Sequence, residues 1–119
     1  MATIDNQFLT FGIDGDIFAI PVARVREVLE YTKPTKLPKT AEFLKGIINV
    51  RDVGIPVVDL RWRFGLPEID ATRSTAILVV EIAGTNGQVM IGAIADEVYE
   101  VIEMDESRLE PPPRFGVKI

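Results

Sequence analysis

The chain of 119 residues contains no cysteine and no histidine. Thiol nucleophiles, disulfides, the usual zinc ligand sets and imidazole acid–base chemistry are therefore excluded. An enzyme built on this chain would have to use carboxylates, lysine, arginine, hydroxyls or tyrosine. No apolar run approaches the roughly 20 residues that span a bilayer as a helix. The start, Met1-Ala-Thr-Ile-Asp-Asn6, lacks the basic residues and apolar stretch of a signal peptide. A cytoplasmic protein without direct membrane insertion is expected. Positive charge is also scarce: 13 basic against 18 acidic residues give a net charge of -5. Nucleic-acid affinity comes mainly from cations that neutralise phosphates, so such a partner is not expected.

What is present suits one globular domain. The hydrophobic fraction is 47% and the charged fraction 26%, close to ordinary globular values. Gln7–Ile13 alternates, with Leu9, Phe11 and Ile13 on one face, and Asp14-Gly15 reads as a hairpin turn into Ile17–Ile20. Pro21 predicts one or two helical turns over Val22–Arg26, followed by a strand from about Glu27 to Thr32. Pro34 and Pro38 bracket a stiff connection at which two small barrels could divide, and Thr40–Phe43 reads as a capped turn. A hairpin then pairs Leu44–Arg51 with Ile55–Asp59, and Leu60–Phe64 is a short helix capped by Asp59 and ended by Gly65.

Ala76–Ile82 is apolar on both faces, which predicts a central strand. Gly84 to Gly87 turns the chain into Val89–Ala95, where Gly92 marks a bend or close backbone approach. Asp96–Ile102 alternates, with Val98 and Ile102 opposite Tyr99 and Val101, and a proline-rich exit follows from Met104. About eight short strands with regular turns predict an all-β barrel or sandwich.

The candidate chemistries are few. Asp59 and Asp96 could flank a cleft as a carboxylate pair, but acids at strand ends ordinarily cap helices or pair with arginine. Asp14-Gly-Asp16 lacks the further oxygen ligands of a calcium loop, and no glycine pattern cradles phosphate; neither metal nor cofactor is expected. Arg51, at a hairpin tip, and Arg61 and Arg63, beside Trp62, read either as solvated ion pairs or as anchors of a protein interface. A small β domain with mixed charge and no catalytic set points to a binding module.

The central hairpin carries a resemblance. "FLKGIINVRDVGIPVVDLRWRFGL", Phe43 to Leu66, closely resembles the CheW family of chemotaxis coupling proteins. "FLTFGIDGDIFAIPVARVREVLEY", "LPKTAEFLKG" and "MIGAIADEVYEVIEM" extend the likeness in order along nearly the whole chain. The resemblance implies one CheW-like domain over residues 1–119, folded as a double SH3-like β-barrel. It implies a non-catalytic adaptor that couples the cytoplasmic tips of chemoreceptors to the regulatory domain of the histidine kinase CheA, at receptor arrays on the inner face of the membrane. Val25, Gly46 and Arg51 match receptor-contact positions, and Glu27 matches a partner-contact position.

Val25 could equally be core, and Gly46 could simply relieve crowding. Asp52 stands where the family usually has glycine, with Gly54 nearby, so a rebuilt turn around Arg51 is expected. The family also continues with strands that this chain lacks, so the first barrel is expected to be incomplete, or completed by self-association or strand swapping. Two other readings remain open: a CheW-like regulatory module from a larger chemotaxis kinase or adaptor, and a small nucleic-acid-binding β-barrel.

Overall fold

The computed structural model describes residues 6–38, 44–84 and 87–104. Eight strands occur among them: β1 (Gln7–Ile13), β2 (Asp16–Pro21), β3 (Val25–Glu30), β4 (Leu44–Val50), β5 (Val53–Asp59), β6 (Ala76–Gly84), β7 (Gly87–Ala95) and β8 (Glu97–Glu103). One short helix, α1 (Leu60–Arg63), follows β5. The strands form a three-stranded sheet, β2-β1-β8, and a five-stranded sheet, β3-β6-β7-β5-β4. The first sheet thus has three strands among the described residues and the second five. The second sheet curls until Thr35, just past β3, pairs with Ile47 of β4 through reciprocal backbone bonds of 2.9 Å. No helix among the described residues is long and apolar enough to cross a membrane.

β6 explains how two sheets share one domain. Its side chains alternate between two cores, as period-2 geometry requires. Leu78 and Val80 join Leu9, Phe11 and Ile13 of β1, together with Phe64 and Ala95. Ile77 and Val79 join Ile48, Ile55 and Val57. Each such side chain, fully buried, contributes about 1.5–3 kcal/mol, which makes this central strand the common wall of both cores. Phe11, Phe18 and Phe64 stack in series, with centroids 5.8 and 5.2 Å apart, and tie α1 to the first sheet.

Several local expectations hold. Asp14 and Gly15 both adopt positive φ, 55° and 85°, in the turn between β1 and β2. A Cβ on Gly92 would lie 2.9 Å from Ile77 Cγ2, so glycine there permits close packing of β7 on β6. Three features differ. The predicted helical turns shrink to a 3₁₀ turn over Val22–Arg24, because Val25 already pairs with Val80 of β6 and the ladder claims the backbone. Pro34–Pro38 does not divide two barrels: Thr35 belongs to the closure of the second sheet. The chain changes sheets instead at Val22–Arg24 and at Asp96. β5 also pairs with β7 in parallel over Val57–Asp59, which alternation alone does not reveal. The turn expected at Thr40–Phe43 lies outside the described residues.

A bulge shapes β8. Leu9 pairs with Val101 but Phe11 with Val98, so Tyr99 and Glu100 together oppose Thr10. Thr10 Oγ1 satisfies the bulge by donating to the Glu100 carbonyl at 2.8 Å and accepting from its N–H at 3.1 Å.

Candidate functional site

β3 and β4 are the two edges of the five-stranded sheet, and they are joined directly at Thr35–Ile47. Between them runs a groove of about 170 Å³ whose lining includes Leu29, Thr32, Ile48, Asn49, Val50 and Ile77. Ile77 and Ile48 are only 0% and 7% exposed, so the groove has an apolar floor. Two strand edges with few shared backbone bonds leave polar groups and apolar side chains accessible together, a combination suited to protein recognition.

Gly46 closes one end of this seam. It sits at a bulge in β4, since Leu44 pairs with Val58 and Gly46 with Val57. Its φ is +144°, and a Cβ there would lie 2.2 Å from the Thr35 carbonyl oxygen. Glycine is thus required for the backbone of Thr35 to approach β4. Relief of crowding, one of the two readings of this residue, therefore has a direct geometric cause.

Arg51 and Glu27 stand at the other end. Val50 and Val53 pair across a two-residue turn in which Arg51 and Asp52 have φ of 51° and 67°. Positive φ at both positions is the signature of a type I′ turn. Asp52 tolerates that conformation, and Arg51 holds it without help from glycine. Arg51 Nη2 lies 3.4 Å from Glu27 Oε1, and its side chain remains 81% exposed. Such a pair is worth at most about 1 kcal/mol, so the guanidinium can be diverted to another acceptor at little cost.

Val25 stands apart from these three. It is half-buried and packs against the first core, beside Val22 and Leu60. The structure thus brings Glu27 and Arg51 together, sets Gly46 at the far end of the same seam, and directs Val25 toward the core.

Sequence reasoning underrated a second cluster. Arg61, on α1, is buried, with 5% of its surface exposed. Its Nη1 donates to Asp96 Oδ2 at 2.6 Å, its Nη2 to Asp14 Oδ1 at 3.1 Å, and its Nε to the Pro67 carbonyl at 2.8 Å. Asp59 caps α1 as expected, accepting from the Arg61 N–H at 3.0 Å. Asp59, Arg61 and Asp96 line a cleft of about 290 Å³ together with Lys33, Lys36 and Lys45, and Lys45 bonds Glu68 at 2.7 Å. The lysine's hydrogen bond and charge hold the Glu68 carboxyl below its ordinary value. Both acids weighed as a catalytic pair have structural partners: Asp59 caps a helix, and Asp96 pairs with Arg61. An arginine two positions past a strand-ending aspartate was the only sequence signal for this cluster. It carried no indication of burial.

The architecture is that of a β-domain with a groove between the two edges of its larger sheet, and comparison with known proteins assigns its family. A profile of the CheW-like domain matches residues 7–119. The chain is 28% identical over 117 residues to chemotaxis protein CheW of Klebsiella aerogenes, covering 98% of this chain and 68% of that protein. It is 35% identical over 108 residues to chemotaxis protein CheW of Bacillus subtilis, covering 91% and 67%. The crystal structure of scaffolding protein TtCheW from Thermoanaerobacter tengcongensis superposes with a TM-score of 0.80 at 38% identity, over 92% of this chain and 72% of that one. The chain belongs to the CheW-like domain family.

Proposed function

We propose that this chain is a chemotaxis adaptor that couples the cytoplasmic tip of a chemoreceptor to the regulatory domain of the histidine kinase CheA, without catalysis of its own. The observation that carries the reading is the seam: a groove with an apolar floor between two strand edges, with an exposed, weakly held arginine on the adjoining hairpin turn. Receptor contact falls to Val25, Gly46 and Arg51, and Glu27, paired with Arg51, exchanges it with the incoming partner. A coupler needs a second face. The three-stranded sheet offers one, where Ile17, Tyr99 and Val101 are 70%, 46% and 53% exposed. Residues 1–119 act as a single CheW-like domain in the cytoplasm, at receptor arrays on the inner face of the membrane. The edges of β2 and β8 are where self-association or strand exchange would occur.

The test is a titration of this chain against a receptor tip fragment and, separately, against the kinase regulatory domain, with size-exclusion chromatography of each sample. Saturable binding to both is expected, with Arg51→Glu weakening the receptor arm by about ten-fold or more. A folded chain that binds neither partner refutes the proposal.

A further inference from the structure

The two sheets meet at a polar joint. Arg61, Asp14 and Asp96 form a closed triangle: the guanidinium bonds both carboxylates, and the Asp14 N–H also donates to Asp96 Oδ2 at 2.8 Å. The Asp96 N–H donates in turn to the Gly12 carbonyl at 2.9 Å. Each corner belongs to a different part of the fold. Asp14 turns the β1–β2 hairpin of the first sheet. Arg61 sits on α1, directly after the β4–β5 hairpin that carries Gly46 and Arg51. Asp96 is the residue at which the chain leaves β7 of the second sheet for β8 of the first. The Arg61 side chain is only 6% exposed, whereas those of Asp14 and Asp96 are 52% and 25% exposed.

We propose that this triangle sets the angle between the two sheets, and that it transmits a shift of the seam hairpin to the face of the first sheet. The planar fork of arginine fixes two carboxylates in direction as well as distance, which a point charge or an apolar contact does not. A displacement of β5 moves Asp59 and α1 with it, because α1 follows β5 directly and the Asp59 cap holds its first turn. Arg61 must then either drag Asp14 and Asp96 along or break a buried ionic contact, which is unfavourable because it strands a desolvated charge. The first sheet follows. Arg61 is here a positioning residue. The transmission half of the proposal rests on the adaptor reading; the angular half does not.

Two measurements test it on the full chain. The protein lacks cysteine, so Ile17→Cys on β2 and Val28→Cys on β3 can take spin labels at positions 70% and 48% exposed. Pulsed electron spin resonance should give one narrow distance in the parent and a broadened or displaced one in Arg61→Met and in Arg61→Lys. Asp14→Gly, which suits the turn's φ of 55° and leaves Arg61 with Asp96, should act in the same direction and serves if the Arg61 variants fail to fold. Unchanged distances in folded variants overturn the angular role; lowered stability alone does not support it. In the second measurement, prior saturation with the receptor tip fragment should change affinity for the kinase regulatory domain by about five-fold or more, and Arg61→Lys should abolish that change. No change in the parent, or an equal change in the variant, overturns the transmission role. A parent that binds neither partner refutes the adaptor reading and transmission with it, and leaves the angular role to be judged by the distances.

Discussion

Replacing Gly46 with alanine separates the architecture of the seam from its surface chemistry. The added Cβ would lie 2.2 Å from the Thr35 carbonyl oxygen and 2.7 Å from its carbon, both backbone atoms. Relief requires Thr35 to withdraw from β4, which breaks two backbone hydrogen bonds of 2.9 Å. Their net loss is about 1–3 kcal/mol together. Forcing a side chain into positive φ adds about 1–2 kcal/mol. The expected destabilisation is therefore about 2–5 kcal/mol, which in urea lowers the unfolding midpoint by about 1–3 M. Gly87→Ala is the control: its φ is +114°, yet a Cβ there meets nothing within 4 Å, so only the conformational cost of about 1–2 kcal/mol is expected. Equilibrium urea unfolding measures both, and hydrogen exchange at the Thr35 and Ile47 amides reports the seam itself. A midpoint for Gly46→Ala no lower than that of Gly87→Ala, with those two amides still protected, would refute the reasoning. If Gly46→Ala weakens receptor binding, the loss should follow the exposure of those amides, since Gly46 has no side chain to offer a partner.

Other expectations follow from the same geometry. Gly92→Ala should cost about 1–3 kcal/mol by overpacking against Ile77, and in a double-mutant cycle Ile77→Ala should partly offset it, because the first atom met is Ile77 Cγ2 at 2.9 Å; strict additivity would refute the contact. Glu68 is depressed by Lys45, so the tie between them contributes above the ordinary carboxylate pKa of 4.5 and is lost as pH falls through the lower folded value. Exchange in the loop over residues 66–75 should therefore rise on acidification, by a small amount because Glu68 is 69% exposed, and Lys45→Met should remove that dependence. Arg51→Glu should leave unfolding within about 0.5 kcal/mol of the parent, so that any loss of receptor affinity reports the interface; a large fall in stability would show Arg51 to be structural.

Much of the strand order was legible because it rests on local rules. Proline, Asp-Gly and glycine pairs mark turns by their backbone freedom, and alternation marks strands. The two apolar faces of Ala76–Ile82 announced a central strand, and β6 is buried on both sides because each face fills a different core. Asp59 was legible as a helix cap because capping acts within one turn. The left-handed turn at Arg51 and Asp52 was less so: without glycine, nothing local demands positive φ, and the pairing of Val50 with Val53 imposes it.

Local residue patterns suffice for the β class, most of the turns, the cap, the absence of thiol and imidazole chemistry, and the family likeness of the hairpin. Packing of the folded chain is what brings Glu27 to Arg51, admits Thr35 beside Gly46, turns Val25 to the core, and buries Arg61 between Asp14 and Asp96. The reason is separation along the chain. Arg61 lies 47 residues from Asp14 and 35 from Asp96, and no periodicity within a strand or helix encodes which distant charges will be desolvated together. That is settled when the two sheets pack on β6.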